Sequence, residues 1–273
     1  MEKIIYFKKK ECSMNCEFKN LMKIVLYYML FGIFWIFYSA KFIYLLTKDP
    51  STYIVLEHYK SYLYIFITTL LLYKMIKSSY LKIEESNKKF QQDIVQSFIT
   101  ALEFHDKYTK GHSDSVAFFS VKIGKELGLK GHNLDDLYWA ATMHDIGKII
   151  IPVEILNKPG KLTDKEYKII KDHPRIGYEI VSKNDSLKKV SKYILHHHEH
   201  WDGNGYPEGL KGDEIPLLSQ IISVADSWHA MTSKRAYKNK LTHEEAIEEL
   251  KKNKGIQFSP EIINIFFDVL SSN

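Results

Sequence analysis

His144-Asp145-Ile146-Gly147-Lys148 and, further on, His196-His197-His198-Glu199-His200-Trp201-Asp202-Gly203-Asn204-Gly205-Tyr206-Pro207 are the two stretches around which the chain is organised. A buried adjacent His-Asp pair makes little sense as packing, because both side chains need partners once removed from water. As metal ligands they make sense together. Imidazole suits mid-row transition metals, and a carboxylate has two oxygens, so Asp145 can bridge two ions while His144 binds one. In a helix Lys148 would lie four residues from His144 on the same face, placing an ammonium where a phosphate would sit. Adjacent residues such as His197 and His198 leave a helix about 100° apart, close enough to converge on neighbouring ions. His112, His173 in Asp172-His173-Pro174 and Asp226 in Val224-Ala225-Asp226-Ser227 complete an ordered set with them.

The run HDIGKIIIPVEILNKPGKLTDKEYKIIKDHPRIGYEIV, then HHHEHWDGNGYP, then ISVADSWHAMTSKRAYK, resembles the HD-GYP subfamily of the HD metal-dependent phosphohydrolases. The second motif makes this much more specific than the HD pair alone, and the likeness covers roughly residues 90 to 270. HD-GYP proteins are known as all-helical phosphodiesterases that open cyclic di-GMP or related cyclic dinucleotides at a metal centre. The resemblance therefore implies that His112, His144, Asp145, His173, His197, His198 and Asp226 hold two divalent ions, iron or manganese, with Asp145 bridging. Lys148 and Asp145 are the implied catalytic residues. Lys148, Arg235, Lys238, Gly205 and Tyr206 are the implied substrate contacts, a guanidinium being well shaped for phosphate or guanine. The ions would activate a water for in-line attack, so no covalent nucleophile is needed, and Asp202 is a candidate proton donor to the leaving oxygen.

The Gly203–Pro207 turn either contacts the dinucleotide or a partner, or buttresses the histidines before it; its glycines permit a tight loop. Three positions depart from the subfamily pattern. Tyr108 stands where some relatives carry Glu four residues before the first ligand histidine, which implies a two-metal centre. Ser115 and Ala236 replace a common arginine and proline. His105, His132, His196, His200, His229 and His243 fall outside the pattern and read as ordinary surface or core residues.

Upstream, residues 24 to 40 carry no charge, and with Leu21, Met22 and the FIYLL after Lys41 they reach the ~20 residues that cross a bilayer. A second apolar run, 61 to 73, extends to 58–76 if Lys60 and Lys74 snorkel; otherwise it is an interfacial or packed helix. Lysines crowd before the first run and after the second, whereas the intervening loop has few, so the positive-inside rule predicts both ends in the cytoplasm. The loop is too short for a folded external sensor. Cys12 and Cys16 have no paired Cys or His set around them and read as free cytosolic thiols. The net charge of +5, nearly all lysine, fits an anionic ligand or a membrane surface and calls for no DNA or RNA polymer.

From Tyr80 the pattern is helical. Phe90, Ile94, Phe98 and Leu102 recur every four residues, on a helix that either pairs with its copy in a homodimer or caps the core. Val116, Phe119, Ile123 and Leu127 form a stripe ended by Gly128; Leu134, Leu137, Tyr138 and Ala141 form another. Thr163-x-x-Glu166 and Thr242-x-x-Glu245 read as capping boxes and Ser259-Pro260 as a helix start. No strand alternation appears. The expectation is an all-α protein: an N-terminal cytoplasmic tail (1–20), a two-helix transmembrane hairpin (21–78, spans about 22–46 and 58–76), a juxtamembrane linker helix (79–100) and an HD-GYP domain (90–273). Its expected location is the bacterial plasma membrane, multi-pass, with the catalytic domain cytoplasmic. Its expected partners are the membrane and a cyclic dinucleotide substrate.

Overall fold

The computed structural model describes residues 2–106, 111–233 and 241–271, excluding the side chains of 2–21 and of His105. Among the described residues every regular element is helical; there is no β-strand, only an isolated bridge between Lys254 and Phe258. In chain order the α-helices are α1 (Glu2–Leu46), α2 (Pro50–His105), α3 (His112–Glu126), α4 (His132–Met143), α5 (Val153–Leu156) and α6 (Asp164–Lys171). They continue with α7 (His173–Val181), α8 (Lys188–Leu195), α9 (Leu217–Thr232), α10 (His243–Lys252) and α11 (Pro260–Ser271). The chain divides into two compact units, residues 1–92 and 93–273.

In the first unit α1 and the start of α2 pack through aromatic rings, with Tyr64 lying 6.2 Å from Phe31 and 5.8 Å from Trp35. Among the described residues one stretch, Met22–Leu46, is long and apolar enough to cross a membrane, with mean hydropathy 1.7. Its large side chains point outward, Phe37 and Leu45 being over 70% exposed. The stretch expected as the second span, 58–76, is helical but does not reach that apolarity, because Tyr62, Tyr64 and Tyr73 and the flanking Lys60 and Lys74 dilute its aliphatic residues.

The second unit is built on α3, α4, α8, α9 and α11. Val116 and Ile123 of α3, Leu137 and Ala141 of α4, Ile194 of α8, Ile221 and Ile222 of α9 and Phe266 of α11 are fully buried in one core. Phe119, Trp228 and Phe266 close it with edge-to-face contacts of 5.4 to 6.4 Å, a geometry that adds to plain area burial. Thr163 and Thr242 form complete capping boxes at the starts of α6 and α10. Tyr138, read as part of the α4 apolar stripe, stays exposed; on α2 the face against the core is Val95, Ile99 and Leu102, and Phe90, Ile94 and Phe98 are exposed.

Candidate metal centre

α4 stops at Met143, and the chain turns through His144 and Asp145 into a short 3-10 turn, Ile146–Ile150. Lys148 therefore does not continue the helix, as the sequence reading expected; its Nζ folds back and donates to Asp145 Oδ2 at 2.6 Å. The turn comes so close to α7 that a Cβ at Gly147 would stand 2.0 Å from the His173 carbonyl oxygen and 2.7 Å from the Gly177 nitrogen. This contact is what brings the His-Asp pair to His173. Likewise α8 ends at Leu195, and His197 and His198 project from the turn after it rather than from the helix.

Three imidazoles are anchored alike. Nδ1 of His144 donates to the Ala141 carbonyl at 2.7 Å, that of His173 to Ile170 at 2.7 Å and that of His197 to Ile194 at 2.6 Å. A carbonyl only accepts, so in each ring Nδ1 carries the proton and Nε2 presents a bare lone pair. These lone pairs converge. Nε2 of His173 and His197 are 3.4 Å apart, and Nε2 of His112 and His144 are 3.1 Å apart. Asp145 faces both groups: Oδ1 is 3.3 Å from His173 Nε2, while Oδ2 is 3.5 Å from Nε2 of His112 and of His144. Asp226 Oδ1 lies 3.4 Å from His112 Nε2. Three overlapping donor groups each gather within 4.8 Å: His173, His197 and His198; His112, His144 and Asp226; and His144, Asp145 and His197. Two lone pairs facing each other at 3.4 Å repel unless a cation stands between them, so the chemistry of this donor set fits divalent ions.

The charge states agree with that reading. Burial, opposed in part by Asp145, lowers His173 to about 4, and burial with the neighbouring His144 lowers His197 to about 3. His144 and His198 shift the same way for the same first reason. Burial pushes Asp145 up, but the Lys148 ammonium and the surrounding imidazoles outweigh it and hold the carboxyl well below its usual range. Asp226 is likewise lowered, by His112 and His144 against burial. Neutral imidazoles beside ionised carboxylates are the protonation states that coordination requires.

The Gly-rich loop is packed against this centre. Tyr206 stacks on His198 with ring centroids 4.9 Å apart, and its N–H donates to the His198 carbonyl at 3.1 Å. At Gly205 a Cβ would meet the His200 nitrogen at 2.2 Å, so this glycine is held by backbone packing and acts as a buttress of the histidine turn. Asp202 is a turn former: its carboxylate accepts from the Asn204 N–H and side-chain amide, which hold it below its usual range and ionised. That leaves it without a proton to give. Arg235 and Lys238, with Tyr108 and Ala236, lie outside the described residues.

Three residues were missed in the sequence. Glu199, its side chain fully buried, accepts from the N–H groups of Glu208 and Leu210 and ties down the loop. Glu103 of α2 accepts from the N–H groups of Gly111 and Ser113 and caps the α3 terminus that carries His112. His229, set aside as ordinary, lies 2.8 Å from His112 through the two Nδ1 atoms. Its spacing of three from Asp226 was a usable signal, since such residues share a helix face; for Glu103 the sequence carries none.

Residues 96–262 match the family model described as HD domain. The chain is similar to a cyclic di-GMP phosphodiesterase of Thermotoga maritima, 44% identical over 60% of this chain and 45% of the relative. It is also similar to a 3'3'-cGAMP-specific phosphodiesterase 2 of Vibrio cholerae, 36% identical over 66% of this chain and 35% of the relative. Among solved structures it resembles a cyclic GMP-AMP specific phosphodiesterase of V. cholerae, with TM-score 0.48 and 21% identity over 65% of this chain and 48% of that one. The chain spans under half the length of these curated relatives. The matched model covers more than half of the 273 residues and contains every member of the donor set, so this protein belongs to the HD domain family.

Proposed function

We propose that this protein is a membrane-anchored, metal-dependent phosphodiesterase that opens cyclic di-GMP to linear pGpG. The observation that carries the reading is the convergence of neutral imidazoles and two ionised carboxylates around facing lone pairs, with a lysine at the rim. In it His112, His144 and Asp226 would hold one divalent ion and His173, His197 and His198 the other, with Asp145 available to both. Iron or manganese suits the mixed nitrogen and oxygen donors. Two such ions would supply a water whose pKa is lowered toward neutrality and positive charge for the non-bridging phosphate oxygens.

The chain's own groups do the rest. Lys148 holds the Asp145 carboxylate in place and offers its remaining N–H donors to a phosphate. Tyr206, stacked on His198, would border the substrate, and its hydroxyl, pushed up by burial, stays protonated. Arg235 and Lys238 are assigned to the phosphates or guanine on the strength of the motif they stand in. The Met22–Leu46 helix anchors the protein, and 58–76 pairs with it as the return limb of a hairpin, which keeps both chain ends on the cytoplasmic side. The exposed stripe of α2 joins two copies in a homodimer. The similarity to a 3'3'-cGAMP-specific enzyme favours a mixed cyclic dinucleotide as the second reading.

The test uses the full chain in detergent, purified without oxygen. Metal content is measured, and turnover of cyclic di-GMP and 3'3'-cGAMP is followed by chromatography beside the His144→Ala/Asp145→Ala double variant. Expected are two ions per chain and hydrolysis that the double variant abolishes. Tight nucleotide binding without hydrolysis under iron or manganese would sink the enzyme and leave a receptor.

A further inference from the structure

His112 is held differently from the other anchored ligands. The rings of His144, His173 and His197 each lean on a backbone carbonyl, which fixes their tautomer whatever lies at Nε2. His112 opens α3, and its Nδ1 meets the Nδ1 of His229 at 2.8 Å. The other nitrogen of His229, Nε2, lies 2.9 Å from Ser233 Oγ, and Ser233 is held there by its own N–H donating to the His229 carbonyl at 3.0 Å. All three members of this chain can act as donor or acceptor, so it can run in two directions. In one, Ser233 donates to His229 and His229 donates to His112, which leaves the proton of a neutral His112 on Nε2, where it blocks coordination. In the other, His112 Nδ1–H donates to His229, His229 Nε2–H donates to Ser233, and His112 Nε2 is bare.

We propose that His229, backed by Ser233, is the positioning residue of His112: it accepts the His112 Nδ1 proton and thereby sets the ring and tautomer that the His112–His144–Asp226 ion site requires. The inference rests on the metal-centre reading above and extends it to a residue outside the donor set. Removing such an outer partner typically costs about 10–100-fold in metal affinity. Only the site containing His112 should feel it, because His173 and His197 keep their carbonyl anchors.

The experiment is calorimetric titration of Mn²⁺ into the metal-free full chain in detergent, comparing wild type with His229→Ala, His229→Asn and Ser233→Ala. Helix content by circular dichroism accompanies each. In His229→Ala one of two binding events is expected to weaken about 10–100-fold while the other stays within twofold. His229→Asn, whose side-chain oxygen can take the place of Nδ1 as acceptor, is expected to recover most of that loss. Ser233→Ala is expected to show the same selective weakening to a lesser degree. Unchanged affinity in His229→Ala would overturn the proposal. So would equal losses in the Ala and Asn variants, since packing rather than an acceptor would then be at work. A wild-type chain that binds no Mn²⁺ would instead overturn the metal-centre reading itself, and a bound but catalytically silent chain would leave the positioning role intact.

Discussion

At the scale of single residues, the site depends as much on what is small as on what coordinates. Gly147 is the clearest case. A methyl group there would overlap the His173 carbonyl, and backbone cannot rotate away as a side chain can. Gly147→Ala is expected to destabilise the second unit by about 1–3 kcal/mol, the usual cost of overpacking, and to lower metal content because the His-Asp pair is pushed from His173. A thermal melt with metal analysis on the same sample checks both, and an unchanged melt with full metal would refute the packing argument. Lys171 offers a second test. Its ammonium lies 4.8 Å from the Tyr206 ring and 5.0 Å from the Tyr167 ring, with no carboxylate pairing it among the described residues. A cation so placed beside the centre can meet a phosphate, so Lys171→Met is expected to raise KM about tenfold, the worth of a charge-assisted hydrogen bond of ~1.5 kcal/mol, with kcat little changed. The donors themselves were legible because each stands in a motif. Lys171, Glu199 and Glu103 were not, since their partners come from loops and helices whose approach no local spacing encodes.

At the scale of elements, helix existence and ends were written in the chain, and helix faces less so. Both capping boxes form as read, because a Thr hydroxyl and a Glu carboxylate three residues apart satisfy each other's backbone donors without outside help. At α6 the Glu166 carboxylate also receives Lys158 at 2.7 and 2.8 Å, and that ammonium together with the Thr163 donors holds it down to about 2 from the usual 4.5. A lowered carboxyl stabilises the folded state above its unfolded value and loses that contribution as pH falls through its folded one. The α6 cap is therefore expected to hold at pH 4 and to fail toward pH 2. Glu166 carboxyl shifts followed by NMR check this, and a midpoint near 4.5 would contradict it. The period-four stripe of α2 divides: Leu102 reaches the core, while Phe90, Ile94 and Phe98 stay outside. Periodicity reveals that a face is apolar and not what covers it. If a second copy covers this one, Phe98→Glu is expected to halve the mass of the detergent-solubilised particle measured by light scattering. An unchanged mass would return the stripe to some other contact.

At the scale of the whole molecule, metal and fold are one equilibrium. The second unit gathers five histidine rings, four of them buried, with buried Asp145 and half-buried Asp226, an arrangement whose lone pairs and charges oppose one another unless cations join them. The unfolded chain holds no such assembled site, so ions taken up by this cluster would bind the native state selectively and stabilise it by mass action. At a free ion concentration 100 times the dissociation constant one site contributes ~2.7 kcal/mol. For a unit of this size each kcal/mol moves the midpoint by about 2–4 °C, so stripping one ion is expected to lower the transition of residues 93–273 by about 5–10 °C. Differential scanning calorimetry of the full chain before chelation, after it, and after readdition of Mn²⁺ reads this directly. Recovery on readdition separates loss of metal from damage by the chelator. His144→Ala/Asp145→Ala should start near the chelated midpoint and respond only weakly to Mn²⁺, because the Asp145 carboxylate and the imidazole shared by two of the three donor groups are gone. A chelated wild type that melts where the loaded protein does would mean that the cluster is held together by packing and the Lys148–Asp145 pair alone.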